Sequence, residues 1–150
     1  MGRTHMAIGL LVALLVAPLF ASDQKTLFVG LVVFASLLPD IDHSGSKINR
    51  ILPLTKYAAK FFRHRGFFHS IFPPIIILGG AYYYNYLFIG QALAIGYLSH
   101  LLSDSFTKLG VNYLYPISQF RVMGFIEVGT IWESLLLAAV VMAIATVVFL

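Results

Sequence analysis

Leu38-Pro39-Asp40-Ile41-Asp42-His43 closes an apolar run and places two carboxylates and an imidazole within four residues. The chain has six acids and five histidines in all, and three of them sit here. Ionisable groups beside hydrocarbon are expensive and are retained mainly where they do something. Pro39 disfavours helical geometry at Leu38, so the preceding helix is expected to end there, with residues 40–43 on irregular backbone. Acids at a helix C-terminus also oppose the helix dipole, which argues against an idle, solvated loop.

The surroundings of that stretch are apolar. Of 150 residues, 59% are hydrophobic and 11% charged, and the mean hydropathy is +0.88. Soluble domains run near half apolar and a quarter charged. The composition therefore predicts one domain over residues 1–150, an all-α integral membrane helical bundle. No cysteine is present, which excludes disulfides and thiolate ligands. A metal must then be held by nitrogen and oxygen donors, which suits zinc, manganese or iron. The net charge of +4 reflects topology and anionic lipid in such a chain, so membrane lipid is the expected partner and nucleic acid is not.

Five apolar stretches suggest five spans, over residues 6–21, 26–38, 67–88, 87–102 and 130–150. The first follows Arg3 and also has the outline of a cleaved signal peptide, but a second apolar run begins at once. The second, at ~1.5 Å per residue, reaches only about two thirds of a ~30 Å hydrocarbon core. Either its helix starts earlier or the Asp cluster lies below the headgroups. Pro73-Pro74 implies a kink or a late start in the third. Tyr82, Tyr83, Tyr84 and Tyr86 suit the far interface. Residues 44–65 carry Lys47, Arg50, Lys56, Lys60, Arg63 and Arg65 between apolar residues, with no acid. That mixture predicts an amphipathic helix on the membrane surface, begun or interrupted by Pro53. Residues 103–128 form a mixed loop.

Alternating spans place the N-terminus and residues 40–66 and 103–128 on one side. Nine of the ten basic residues fall there and only Lys25 lies opposite, so that side is expected to be cytoplasmic. It also receives every histidine and every acid but Asp23.

His5, His43, His64, His69 and His100 each lie near that end of an expected span. One such histidine is ordinarily a buried, hydrogen-bonded side chain; five together point to a shared metal site. His100 and Asp104 are four apart and share a helix face. His64 and His69, five apart, would diverge on a continuous helix, and Gly66 offers a break that turns both rings inward. In hydrolytic centres carboxylates ligate the ions and orient the attacking water, roles open to Asp40 and Asp42. His5 precedes Met6, which also reads as a start codon. Glu133, beside the last span, either caps a helix or closes the site.

These segments resemble the YdjM-like, LexA-regulated family of membrane-bound metal-dependent hydrolases. The matching residues are Thr4-His5 with Gly9, the stretches 38–43 and 64–70, and 96–104 running on through Thr107 and Gly110 to Pro116. They spread over about three quarters of the chain. LPDIDH and HRGFFHS are the specific pieces. Threonine often precedes the second histidine of that pattern, where this chain has Phe68. The family is similar to zinc-dependent phospholipase C and single-strand nucleases, helical enzymes with multinuclear zinc whose His-x-x-x-Asp pair His100 and Asp104 match. Their zinc-binding N-terminal residue has no match in Met1 or Gly2.

The resemblance implies a membrane-bound metal-dependent hydrolase of a phosphoester, with phospholipid among the candidate substrates, holding two or three zinc ions at the cytoplasmic face of the cell membrane. The expected donors are His5, Asp40, Asp42, His43, His64, His69, His100, Asp104 and Glu133. Asp40 or Asp42 is expected to direct water, and Arg65 to grip the phosphate bidentately. Transport of divalent metal or protons also uses intramembrane His and Asp, but needs ligands near the midplane and access from both sides, and the Tyr-rich far half has no ligand type except Asp23. A non-catalytic membrane protein stabilised by metal would carry the same residues.

Overall fold

Small residues decide how the helices of this protein meet. The computed structural model describes residues 1–20, 23–43, 45–51, 57 and 65–149. Its helices are α1 (Gly2–Phe20), α2 (Lys25–Ala35), α3 (Lys47–Ile51), α4 (Phe72–Tyr83), α5 (Leu87–Ser105) and α6 (Ile131–Phe149), with 3₁₀ turns at Leu38–Asp42 and Phe67–His69. α5 packs against α1, α2 and α4, and α1 also packs against α2 and α6. α1 buries His5, Gly9, Ala13 and Ala17, and α5 buries Ala92, Gly96, His100 and Asp104. Both sets recur every four residues, so each forms a stripe along one face. In both, small residues give way to ionisable ones toward the same end of the molecule. Small stripes let helix backbones approach closely where lipid removes any hydrophobic drive between helices. Phe28 and Val32 of α2 fill the remaining space against Ala13, Ala17 and Ala92.

The contact is closest at Gly96, where an added Cβ would run into the Val32 carbonyl. Gly96→Ala is therefore expected to push α2 from α5 and destabilise the protein by about 1–3 kcal/mol. A thermal midpoint equal to that of the wild type would contradict this packing.

Among the described helices, α1, α2, α4, α5 and α6 each bring one end to the same place. His5 near the start of α1 stacks on His100 near the end of α5. Ser36, just past α2, accepts from His100. His69, just before α4, faces His100 edge-on. Thr4 donates to Glu133 in the first turn of α6. The exposed Tyr82, Tyr83, Tyr84 and Tyr86 lie at the other end of α4.

α1 and α6 are each 19 residues and apolar enough to cross a membrane, about 28 Å at ~1.5 Å per residue. Only Val140 is buried along α6, so its apolar surface faces outward nearly all round, as on a lipid-exposed helix.

Boundaries differ from the expected ones for local reasons. α1 starts at Gly2 rather than residue 6, because Thr4 and His5 have buried partners inside the fold. α2 stops at Ala35, where the Ser36 hydroxyl donates back to the Val33 carbonyl, and residues 38–42 coil into a 3₁₀ turn rather than irregular backbone. Pro73 and Pro74 begin α4, where a missing N–H is harmless; this is a late start, not a kink. α4 ends at Tyr83, well short of the expected span. α5 runs on to Ser105 and carries Asp104. The 103–128 loop is tied by bridges pairing Thr107 with Ile126 and Val111 with Val122. At its surface Lys108 holds Glu127 at 2.7 Å and lowers that carboxyl below its ordinary range, mainly through the hydrogen bond. Of the expected amphipathic helix over 44–65, α3 is described; Pro53, Lys56, Lys60 and Arg63 lie outside the described residues.

Candidate metal centre

Hydrogen bonds select one tautomer for each of three imidazoles in the neutral form. His100 Nδ1 lies 2.7 Å from the Ser36 carbonyl oxygen. A carbonyl only accepts, so Nδ1 bears the proton and Nε2 a lone pair. His69 Nδ1 lies 3.2 Å from Asp42 Oδ2, with the same consequence. The Ser103 hydroxyl donates to the His100 carbonyl at 2.9 Å, which leaves its oxygen to accept from His5 Nδ1 at 2.6 Å. All three rings thus aim Nε2 lone pairs inward, and all three are buried to 1% exposure or less.

What those lone pairs face is two carboxylates. His5 Nε2 is 3.5 Å from Asp104 Oδ1. His69 Nε2 is 3.6 Å from Asp104 Oδ2 and 4.0 Å from Asp40 Oδ1. His100 Nε2 is 3.8 Å from Asp40 Oδ1 and 3.9 Å from Asp104 Oδ2. Acceptors confront acceptors, and His100 Nε2 and Asp104 Oδ1 are buried without a hydrogen-bond partner. Such an atom costs about 1–3 kcal/mol, more when charged. A cation at the point of convergence removes the conflict, and a neutral imidazole Nε2 with its Nδ1–H held by carbonyl or carboxylate is the usual metal-ligand arrangement. Among the described residues, two groups could hold a metal ion: His5, Asp40 and His100, and His69, His100 and Asp104.

Arg65 completes the wall. Its Nη2 lies 2.9 Å from Asp104 Oδ2, Nη1 donates to the Gly110 carbonyl at 2.8 Å, and its backbone N–H donates to Asp42 Oδ2 at 2.9 Å. The break expected at Gly66 is present, with φ −94° and ψ −125°, and it extends to Arg65, whose φ of 58° is the left-handed region that ordinary residues avoid.

The expected donor set is thus brought together in part. His5, Asp40, His69, His100 and Asp104 converge. Asp42 is buried behind His69, where its carboxylate orients the ring and holds the Arg65 backbone. His43 is exposed and its Nδ1 accepts from the Gly45 N–H at 3.2 Å; it stands outside both donor groups. Glu133 is also outside them, since its Oε1 accepts from the Met1 amine and from Thr4 at 3.1 Å, and its Oε2 from Gly129 at 2.8 Å. His64 lies outside the described residues. Arg65, expected to grip phosphate, has both terminal nitrogens on protein oxygens.

Several supporting residues escaped sequence reasoning. Asn49 is buried in the basic segment and donates to the Ile41 and His43 carbonyls at 3.1 and 2.7 Å, clamping the Asp40 turn. Tyr97 donates to the Phe68 carbonyl at 2.6 Å, so position 68 contributes backbone to the site. Tyr97 stands three residues before His100, a spacing that could have flagged it. The Ser36 carbonyl carries no sequence signal at all.

A cavity of about 350 Å³ opens over His5, Asp40 and Arg65, with Lys47 and Arg50 also on its wall.

Helices fit to cross a bilayer, joined at one end by buried histidines and carboxylates, define a helical membrane protein with a potential metal centre. The chain belongs to the YdjM inner membrane protein family, whose profile matches residues 1–150. It is 33% identical over 145 residues to YvsG of Bacillus subtilis (strain 168), an uncharacterized protein, covering 95% of this chain and 90% of the relative. It is 34% identical over 106 residues to the inner membrane protein YdjM of Escherichia coli (strain K12), covering 66% of this chain and 54% of YdjM. The same figures hold for YdjM of Shigella flexneri. No solved structure matches the chain. The family and the two apolar helices indicate a membrane location.

Proposed function

We propose that this protein is a membrane-bound metal-dependent hydrolase that cleaves a phosphoester at the cytoplasmic face of the membrane. The observation that carries the reading is the convergence of three imidazole Nε2 atoms and two carboxylates beneath an open cavity. His5, His69, His100, Asp104 and Asp40 would hold the metal, which is zinc, manganese or iron by donor type. Asp104 turns one oxygen to His5 and the other to His69 and His100. A metal bound there supplies Lewis acidity for a phosphoryl oxygen and for water.

The remaining roles follow from burial. Asp40 is 19% exposed and lies on the cavity wall, so it is the carboxylate that water reaches. It takes the proton of the attacking water as oxygen bonds to phosphorus, and returns a proton to the ester oxygen that leaves. Asp42, fully enclosed, holds the His69 ring in place. Arg65 keeps Asp104 aimed and offsets its charge.

We further propose five crossings. α2 begins only one residue before the expected span, so the alternative in which the Asp cluster lies below headgroup level is the one supported. At 11 and 12 residues, α2 and α4 reach about 17–18 Å, which puts the centre within reach of a substrate presented from the bilayer. Since the chain has no cysteine, single cysteines report topology directly. In intact cells an impermeant thiol reagent is expected to label Asp23→Cys and to spare Ile117→Cys, both exposed positions. The reverse pattern would invert the proposed orientation.

The direct test of function is release of phosphate from lipid and soluble phosphoesters by the purified protein, with metal content measured alongside. Metal-loaded protein that hydrolyses neither class, yet carries metal ions across vesicle membranes, would replace this reading with a transporter.

A further inference from the structure

The cavity above the centre carries two cations that the hydrolytic reading leaves without a task. Lys47 and Arg50 lie three residues apart on α3, so they share a face, and both line the cavity. Neither forms an ion pair among the described residues. The Lys47 ammonium instead lies 3.6 Å from the Met6 sulfur, a weak acceptor. Arg65 lines the same space, but Asp104 and Gly110 occupy its terminal nitrogens. Asp40 is the one acid on the wall among the described residues, and its Oδ1 faces His69 and His100.

An exposed cation on a surface needs no explanation, because it is solvated. Two on the wall of a concave site, facing a centre that can hold a metal, create a field that favours an anion. Arginine offers a planar fork suited to phosphate oxygens, and lysine a compact point charge. α3 is held in register with the centre, since Asn49, between the two cations, clamps the Asp40 turn. The backbone that carries both cations is therefore held beside the Asp40 turn.

We propose that Lys47 and Arg50 form the phosphate-binding wall of this cavity and select substrates by a dianionic phosphoryl group, in the place first expected of Arg65. This rests on the hydrolase reading for the reason a phosphate would enter, while the binding itself can be measured separately. The phosphoryl group can belong to a lipid headgroup or to a soluble ester.

The test uses the full chain in phosphatidylcholine nanodiscs, with inorganic phosphate as the probe and titration calorimetry as the readout. The wild type is expected to bind phosphate. Lys47→Gln/Arg50→Gln is expected to weaken that binding at least about tenfold, with metal content unchanged, since two charge-assisted contacts are lost. The charge-retaining Lys47→Arg/Arg50→Lys should stay within about threefold of the wild type, which separates lost charge from lost folding. Phosphatidic acid placed in the nanodisc and competing with phosphate supports the site with a lipid headgroup as ligand. Phosphate binding undisturbed by phosphatidic acid supports it with a soluble ester. Equal phosphate affinity in wild type and the double glutamine variant overturns the proposal. So does a metal-loaded wild type that binds no phosphate. Phosphate binding through Lys47 and Arg50 in a protein that holds no metal keeps the proposal and removes the hydrolase reading.

Discussion

His100→Ala is expected to lower the bound transition metal of the purified protein by at least about tenfold at neutral pH. Loss of a residue that merely orients a ligand costs ~10–100-fold in metal affinity, and His100 is itself a donor in both candidate groups. Its ring is held without freedom to relax: Nδ1 donates to the Ser36 carbonyl, and the face stacks on His5 with centroids 3.8 Å apart. Alanine leaves Asp40 and Asp104 facing each other across the gap with one imidazole fewer to share a cation. His43→Ala and Glu133→Gln serve as controls, since both lie outside the donor groups, and metal content within about twofold of wild type is expected for them. Elemental analysis of the three variants beside the wild type decides the matter. Equal losses in all three would mean general unfolding, and a wild type without transition metal would remove the centre. The wild type also tests ion number. Two or more equivalents fit a multinuclear site, and a single equivalent rules one out.

The second large effect separates the two aspartates of the opening stretch. Asp40→Asn is expected to cut phosphoester turnover by about 10²–10⁴-fold, because asparagine keeps the shape and cannot take a proton from water. Asp42→Asn is expected to act through metal binding, by about 10–100-fold. Its Oδ2 anchors both His69 Nδ1 and the Arg65 backbone N–H, and asparagine removes the charge that strengthens those contacts. Raising the metal concentration should therefore restore much of the activity of Asp42→Asn and little of that of Asp40→Asn. Turnover and metal content over a metal titration measure both. Recovery of Asp40→Asn at high metal would show that Asp40 is a ligand alone. A loss in Asp42→Asn that metal does not touch would place Asp42 in direct contact with substrate or water.

The sequence alone determined the class of structure and the chemistry at its centre. The apolar excess and the absence of cysteine dictate apolar helices with nitrogen and oxygen donors. The four-residue spacing of His100 and Asp104 survives on α5 because intrahelical geometry depends only on the chain between them. The prolines at 39 and 73–74 mark real helix boundaries for the same local reason. Which donors meet was decided by tertiary structure. Asp40 and Asp42 are two residues apart, yet a 3₁₀ turn sends one to the cavity and buries the other behind His69. His5, 95 residues from His100, reaches it because the Gly9-Ala13-Ala17 stripe lets α1 approach α2 and α5. His43 and Glu133 had the right chemistry in the right stretch, but their side chains point to other partners. Arg65 was legible as a cation, not as the one whose fork closes on Asp104, while the cations left over for a ligand, Lys47 and Arg50, looked like an ordinary basic surface. Residue type and local spacing are properties of the chain; the direction in which a side chain finds its partner depends on backbones that come together only in the packed fold.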